Sequence, residues 1–90
     1  MTNSPWTVIL QRRAQRATRR LPRDVLNRLA KAFQALERDP YLGKRQVDFP
    51  LYSYRIGDLR VVYSLKEDRL IVLVLDIGSR GDIYRRLRQM

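Results

Sequence analysis

A short β-hairpin is the feature that most restricts how this chain can fold. Two stretches with alternating apolar residues flank Gly57 and Asp58, and a two-residue loop that begins with glycine favours a type II′ turn. The turn sets the pairing of the two strands, because side chains along a strand alternate with a period of two residues. We therefore predict that Arg55 lies directly opposite Arg60.

The predicted pairing places a polar group on one face of the hairpin, formed by Ser53, Arg55 and Arg60. Two guanidinium groups opposite each other destabilise a strand pair by up to about 1 kcal/mol unless an anion lies between them. Phosphate is the anion that the arginine fork fits best. Two arginines that point into water, or that pair with Asp58 and Asp76, account for the pattern equally well. The other face is predicted to be core and holds Tyr54, Ile56, Leu59, Val61 and Tyr63.

The composition restricts the function classes that are open to this chain. Its 90 residues, predicted to form one domain over 1–90, carry a net charge of +10 with 19 basic residues, so nucleic acid and acidic proteins are the expected partners. The absence of histidine and cysteine excludes a Ser-His-Asp triad, imidazole metal sites, zinc fingers and disulfides. No apolar stretch approaches the roughly 20 residues of a membrane span, and no signal-peptide core is present. We expect a cytoplasmic protein without a cofactor.

The remaining sequence predicts an α+β fold. A strand at Trp6–Leu10 leads into a helix that Pro22 ends, and a second helix runs from Arg23 or Asp24 to Asp39. The short connection predicts an antiparallel helical hairpin. We expect the N-terminal strand and this hairpin on one face of an antiparallel sheet of about four strands, with a short C-terminal helix. A loop is predicted at 39–51 and strands at 52–57, 59–66 and 69–77, the last of them interior or covered on both faces.

The C-terminal segment supplies further candidates for chemistry. On a helix, Arg80, Tyr84 and Arg88 share one face, and this face could converge with Arg55 and Arg60 on the side of the sheet away from the helical hairpin. Such a cluster could hold a phosphodiester, stabilise developing charge and use the phenol for stacking or proton transfer. In the alternative, Tyr84 only anchors the chain terminus and the nearby arginines are solvated.

Two other charged groups are weaker candidates for sites. The arginine-rich run 12–20 is typical of a nucleic-acid stripe, but also of a solvated helix face or a docking site for an acidic partner. Asp58, Asp76 and Asp82 are the carboxylates near the open face of the sheet. Because they lie among arginines, ion pairs are favoured over metal ligation, and we expect no metal.

Several motifs together resemble those of a known group of proteins. These are the strand at Trp6, the basic helical hairpin ending in Leu36-Glu-Arg-Asp-Pro40, the segment Tyr54-Arg-Ile-Gly-Asp-Leu-Arg-Val-Val-Tyr63, and Asp76-Ile-Gly-Ser-Arg-Gly-Asp-Ile-Tyr84. In order and spacing they resemble the RelE/ParE superfamily of toxins from bacterial and archaeal toxin–antitoxin pairs. The RelE branch cleaves mRNA in the ribosomal A site, whereas the ParE branch poisons DNA gyrase.

The resemblance to the RelE branch implies roles for individual residues. Arg60 and Arg80 would contact the scissile phosphate, Arg55 would hold the backbone, and Tyr84 would stack or move a proton. Two positions depart from the RelE pattern. Ser53 stands where RelE-type enzymes often have another basic residue, and Ser79 stands where many relatives have a histidine or lysine before the arginine. The candidate catalytic residues are thus Arg60, Arg80 and Tyr84, and the candidate RNA-binding residues are Arg55, Ser53, Arg85 and Arg88.

The leading interpretation is a ribosome-dependent mRNA endoribonuclease. Its implied partners are a cognate acidic antitoxin, the ribosomal A site and mRNA. Whether toxin and antitoxin form a higher-order assembly is left open by the sequence. A gyrase poison and a plain nucleic-acid-binding module remain as alternatives.

Overall fold

The computed structural model describes residues 5–47, 50–79, 81–83 and 85, and it shows an α+β fold built on one mixed sheet. The predicted fold class is confirmed. A short helical segment at 81–83 and 85 follows the last strand. Among all the residues that the structure describes, no helix is long and apolar enough to cross a membrane. The elements are β1 (Thr7–Leu10), α1 (Arg12–Thr18), α2 (Arg23–Arg38), β2 (Lys44–Arg45), β3 (Tyr52–Ile56), β4 (Leu59–Lys66) and β5 (Ile71–Ser79).

The sheet has five strands in the order β1-β5-β4-β3-β2, and one pairing is parallel. The prediction of a purely antiparallel sheet of about four strands is therefore corrected in two respects. First, β1 pairs in parallel with β5, so that Thr7 aligns with Ile71. Second, the predicted loop contains β2, whose two exposed residues pair with β3. Neither feature has a local signal, since the first pairing joins distant segments and Lys44-Arg45 shows no apolar alternation.

The two helices differ in how closely they follow the sequence pattern. The α2 helix begins at Arg23 after Pro22 and ends before Asp39, as predicted. The α1 helix covers only Arg12–Thr18, although the apolar spacing continued to Leu21. Three residues of hydrogen-bonded turn carry the chain from α1 to Pro22, and Pro22 has no amide with which the helix could continue beyond them.

The main core lies between the helices and one face of the sheet. The predicted apolar face of the β3–β4 hairpin lies on this side, and Tyr63 and Val61 are fully buried there. A smaller apolar cluster occupies the second face, where Ile83 packs with Leu51, Val62 and Leu75. The main core contains Ala14, Leu29, Leu36, Val61, Tyr63, Val72, Val74 and Ile77.

The last strand is interior, as predicted, but it is displaced by two residues from its predicted limits of 69–77. It starts after Leu70, which has a positive φ of 55° in a turn, and it extends through Gly78 and Ser79. The β4–β5 pairing is irregular between Val62 and Tyr63. At this point β5 has one more residue than β4, as in a β-bulge. The consequence for the site is that Gly78 pairs directly with Arg60.

Candidate anion-binding site

The β3–β4 hairpin has the predicted register at every position. Arg55 pairs with Arg60 and Ile56 with Leu59, and Gly57 has the positive φ of 58° that the first position of a type II′ turn requires. The two guanidinium-bearing residues therefore lie on the same face, directly across the strand pair.

The turn and the two arginines enclose a small cleft of about 180 Å³, lined by Arg55, Gly57, Asp58 and Arg60. Arg55 is exposed, and its Nε donates a hydrogen bond to the carbonyl oxygen of Gly57 at 3.0 Å. This bond holds the guanidinium along the turn, while Arg60 is half-buried beside it. The cleft presents two positive charges and one carboxylate, a surface suited to an anion.

A third guanidinium approaches the same turn from the helical side. A Cβ placed on Gly57 would lie 3.6 Å from Nη1 of Arg28, and Arg28 also pairs with Asp24 at 3.6 Å within α2. Sequence reasoning did not identify Arg28, because only the packing of α2 against the sheet brings it to the hairpin turn.

Ser53 lies on the same face but is not open to a ligand. Its side chain is buried, and its hydroxyl accepts a hydrogen bond from Nε2 of Gln46 at 3.0 Å. The structure therefore does not bring Ser53, predicted as an RNA-binding residue, to the surface that Arg55 and Arg60 present.

The described part of the terminal helix lies on the same face as the arginine pair. Ile83 is buried against Val62, two residues along β4 from Arg60. Arg85 is exposed, with Nη1 4.0 Å from Oδ1 of Asp82. The remaining predicted site residues of this segment, Arg80, Tyr84 and Arg88, lie outside the described residues.

The three carboxylates near this face have different surroundings. Asp76 is buried, and its Oδ1 accepts a hydrogen bond from the amide of Ile77 at 2.8 Å. Asp58 lines the cleft, and Asp82 lies beside Arg85. Among the residues that the structure describes, no three carboxylates form a group suited to a metal ion.

The described residues that line the cleft include no tyrosine. Away from the cleft, burial raises the pKa of Tyr63 to about 12, and desolvation together with nearby Glu67 raises the pKa of Tyr41. A phenol with a raised pKa is a poor proton donor or acceptor near pH 7. The described arrangement can bind an anion and stabilise negative charge.

Comparison with known proteins identifies the family to which this chain belongs. Residues 8–84 match the family described as ParE toxin of type II toxin–antitoxin system, parDE. The chain is 34% identical over 86 residues to Toxin RelG of Mycobacterium tuberculosis, an alignment that covers 91% of this chain and 99% of that protein. The chain belongs to the RelE/ParE superfamily of type II toxins, and it is a toxin of a toxin–antitoxin system.

Solved structures of related toxins share the fold. The toxin–antitoxin complex RelBE2 from Mycobacterium tuberculosis superposes with a TM-score of 0.75 at 28% identity, covering 84% of this chain and 99% of that chain. A mutant of E. coli toxin RelE in the free state superposes with a TM-score of 0.77 at 17% identity, covering 96% of this chain and 98% of that chain. The second likeness is one of fold alone.

Proposed function

We propose that this toxin is a ribosome-dependent mRNA endoribonuclease that acts in the cytoplasm and inhibits translation. The observation that carries the proposal is the Arg55–Arg60 pair, opposed across the hairpin at an open cleft. Both side chains line the cleft, and a phosphodiester between two guanidinium groups would accept charge-assisted hydrogen bonds from each.

The proposed reaction is attack of the mRNA 2′-hydroxyl on the adjacent phosphate. Arg60 and Arg80 stabilise the charge that develops on the phosphate oxygens, and Arg55 holds the backbone. Tyr84 stacks on the cut nucleotide or moves a proton, while Arg85 and Arg88 contact flanking RNA. The 2′-hydroxyl oxygen forms a bond to phosphorus as the 5′-oxygen leaves, so the products are a 2′,3′-cyclic phosphate and a 5′-hydroxyl.

Dependence on the ribosome follows from the composition of the chain. Without histidine, no side chain has an ordinary pKa near neutral pH, so the protein alone is a weak general-base catalyst. A ribosome that aligns the 2′-hydroxyl with its phosphate would supply this orientation. In well-aligned reactions, orientation lowers the activation barrier by up to about 7 to 11 kcal/mol.

The chemistry is tested with a message that carries a single 2′-deoxyribose at the cut site. We expect cleavage of the all-ribose message on programmed ribosomes and loss of that cleavage with the substituted one. Arg80→Lys keeps the charge but loses the planar fork, so the rate should fall by on the order of 10². Efficient cleavage of the deoxy-substituted message would contradict the proposal.

The role of Tyr84 is tested separately with Tyr84→Phe. A nearly normal rate would indicate stacking, because phenylalanine keeps the ring. A rate loss of on the order of 10² would indicate proton transfer by the phenol. The cleavage rate of the variant is compared with that of the wild-type toxin on the same ribosomes.

Inhibition of DNA gyrase is the second candidate, and the match to the ParE toxin family favours it. A gyrase poison is a binding protein and does not require Arg60 and Arg80 to contact a phosphate. Induced expression with parallel measurements of protein synthesis and of gyrase-linked DNA breaks distinguishes the two functions. Early loss of protein synthesis without DNA breaks is expected for the nuclease.

We also propose a cognate acidic antitoxin as the partner that keeps this toxin silent. Related toxins have been solved with their antitoxins, including the RelBE2 complex of Mycobacterium tuberculosis and the intact E. coli RelBE complex. The net charge of +10 suits an acidic partner. A higher-order assembly of toxin and antitoxin would be measured by light scattering of the purified complex.

A further inference from the structure

The arginine cleft contains one acidic side chain, and the binding of an anion does not account for it. The described residues that line the cleft are Arg55, Gly57, Asp58 and Arg60. A carboxylate is ionised at neutral pH, so at this position it repels the phosphate that the two arginines attract. Asp58 therefore weakens the binding of the ligand to which the rest of the cleft is suited.

The fold does not use the Asp58 carboxylate in the part of the chain that the structure describes. An aspartate in a turn often accepts a hydrogen bond from a nearby backbone amide, but no such bond engages Asp58 among the described residues. The three ion pairs found there engage the carboxylates of Asp24, Asp68 and Asp82. Because Asp58 is exposed, a substrate can reach its oxygen atoms.

The charged groups around Asp58 come from three elements. Arg55 on β3 and Arg60 on β4 line the cleft with it, and Arg28 approaches the turn from α2. A guanidinium group has no acceptor atom, and the carbonyl oxygen of Gly57 already accepts a hydrogen bond from Nε of Arg55 at 3.0 Å. Of the described residues that line the cleft, Asp58 is therefore the one whose side chain can take a proton.

The proposed cleavage needs a proton acceptor close to the phosphate. The attacking 2′-oxygen lies about 3 to 3.5 Å from phosphorus before it reacts, and a group that takes its proton lies about 2.6 to 3.2 Å from that oxygen. The acceptor is therefore within about 7 Å of phosphorus and shares a cleft with the groups that hold the phosphate. A cleft of about 180 Å³ that contains two arginines and Asp58 meets this condition.

We propose that Asp58 is a further catalytic residue, which accepts the proton of the attacking 2′-hydroxyl. This inference rests on the proposed nuclease function. A carboxylate oxygen of Asp58 takes the proton as the 2′-oxygen bonds to phosphorus, and the bond from phosphorus to the 5′-oxygen breaks. The 5′-oxygen leaves with a proton from the Tyr84 phenol or, if Tyr84 serves only for stacking, from water. Protonated Asp58 then returns its proton to the solvent.

The proposal is tested with Asp58→Asn on programmed ribosomes, because asparagine keeps the shape of the side chain and loses its charge. Cleavage is measured in single turnovers at saturating toxin, so that the rate reports the chemical step. We expect this rate to fall by about 10². The control Asp68→Asn, in the exposed turn between β4 and β5, should cleave at the wild-type rate.

Binding should change in the opposite direction from catalysis. A message with 2′-deoxyribose at the cut site reports binding without cleavage. Asp58→Asn should bind ribosomes that carry this message about twofold to fivefold more tightly, because a charge that repels phosphate is gone. Weaker binding that accounts for the whole loss of activity would overturn the catalytic role.

The dependence of the rate on pH separates proton transfer from a structural role of Asp58. With an ionised carboxylate as acceptor, the wild-type rate should be nearly constant between about pH 6 and 8.5. In Asp58→Asn the proton passes to hydroxide, so the rate should rise about tenfold per pH unit. Asp58→Glu keeps a carboxylate and should keep the constant profile. An equal loss in Asp58→Asn at every pH would overturn the proposal.

The same experiments distinguish failure of this inference from failure of the nuclease proposal. Wild-type cleavage together with an unchanged rate in Asp58→Asn would overturn the role of Asp58 and leave the nuclease proposal standing. An equal loss in Asp58→Asn and Asp68→Asn would also overturn it, since the loss would follow from charge far from the cleft. If the wild-type toxin cleaved no message on ribosomes, both proposals would be overturned.

Discussion

Two residues on adjacent strands, Arg55 and Arg60, define the candidate site. Their pairing follows from the two-residue turn at Gly57 and Asp58, and the turn itself depends on the absence of a side chain at Gly57. Like charges directly opposite each other on a strand pair are unfavourable by themselves, and both side chains line the same cleft.

Replacing Arg60 with alanine should abolish toxicity and leave the fold intact. Removing one of two opposed charges should change the free energy of unfolding by no more than about 0.5 kcal/mol. Thermal melts followed by circular dichroism, beside growth assays, measure both effects. Arg45→Ala, on the exposed strand β2, is the matched control and should stay toxic. A large fall in melting temperature for Arg60→Ala would show that this residue is structural.

Tyr63 is the residue whose hydroxyl ties the sheet to the loop before β2. The hydroxyl donates to the carbonyl oxygen of Pro40 at 2.8 Å and accepts from the amide of Gly43 at 2.9 Å. Tyr63→Phe should lower the free energy of unfolding by about 1 to 3 kcal/mol, because both buried backbone groups lose their partner. Tyr54→Phe, on the same face of the sheet, should lower it by less than about 0.5 kcal/mol. Urea unfolding measures the difference, and equal effects would count against the role of the Tyr63 hydroxyl.

The raised pKa of Tyr63 also predicts how stability depends on pH. Its folded-state pKa of about 12 lies above the ordinary value of 10.0, so the neutral phenol stabilises the native state fully below pH 10. As the pH rises from 10 through 12, the phenol ionises in the unfolded chain before it ionises in the folded protein. The free energy of unfolding therefore falls by up to about 2 kcal/mol. The comparison of wild type with Tyr63→Phe between pH 9 and pH 12 isolates this contribution. A constant difference across that range would contradict the prediction.

At the scale of elements, two glycines are required for different physical reasons. Gly57 needs its positive φ of 58°, although a Cβ would meet nothing closer than Arg28 Nη1 at 3.6 Å. Gly43 has no such φ, but a Cβ there would overlap the Tyr63 hydroxyl and lie 2.9 Å from the carbonyl oxygen of Ser53. The first glycine sets the hairpin turn, and the second allows the loop before β2 to approach the sheet.

Alanine substitutions should separate these two effects. Gly57→Ala should lower the free energy of unfolding by about 1 to 2 kcal/mol through backbone strain, and Tyr63→Phe should not alter that loss. Gly43→Ala should lower it by about 1 to 3 kcal/mol through overpacking, and much of that loss should disappear in the Tyr63→Phe background. A double-mutant cycle by urea unfolding measures the coupling. Additive effects of Gly43→Ala and Tyr63→Phe would contradict the proposed close approach.

At the scale of the whole molecule, positive charge dominates the behaviour of the protein. The formal net charge is +10. The arginine cleft lies next to a groove between the arginines of α1 and the end of β5, because Gly78 in that groove pairs with Arg60. Two basic surfaces are therefore adjacent at one end of the sheet. An acidic partner would be attracted to this end before any close contact forms.

The association rate with an acidic antitoxin should fall as salt is raised, while the dissociation rate changes less. Screening at 0.15 M ionic strength limits attraction to about 8 Å, so the rate at low salt should exceed that at physiological salt by about tenfold or more. Stopped-flow measurements over a salt series test this expectation. An association rate that does not change with salt would show that charge does not guide the encounter.

The sequence by itself determined the features that depend on neighbouring residues. The hairpin register follows from a glycine-led turn, the limits of α2 follow from Pro22 and from Asp39 before Pro40, and the apolar face of β3 and β4 follows from alternation. The resemblance also identified the superfamily correctly, because its motifs lie within these local elements.

Tertiary structure decided what depends on contacts between distant segments. The parallel pairing of β1 with β5, the two-residue strand β2, the burial of Ser53 and the approach of Arg28 to Gly57 have no local sequence signal. The groove between α1 and the end of β5 likewise depends on tertiary structure, because β5 extends past the last residue of β1 at the sheet edge. Turns and strand alternation act over a few residues, whereas these features arise when the helices pack on the sheet and bury a common core.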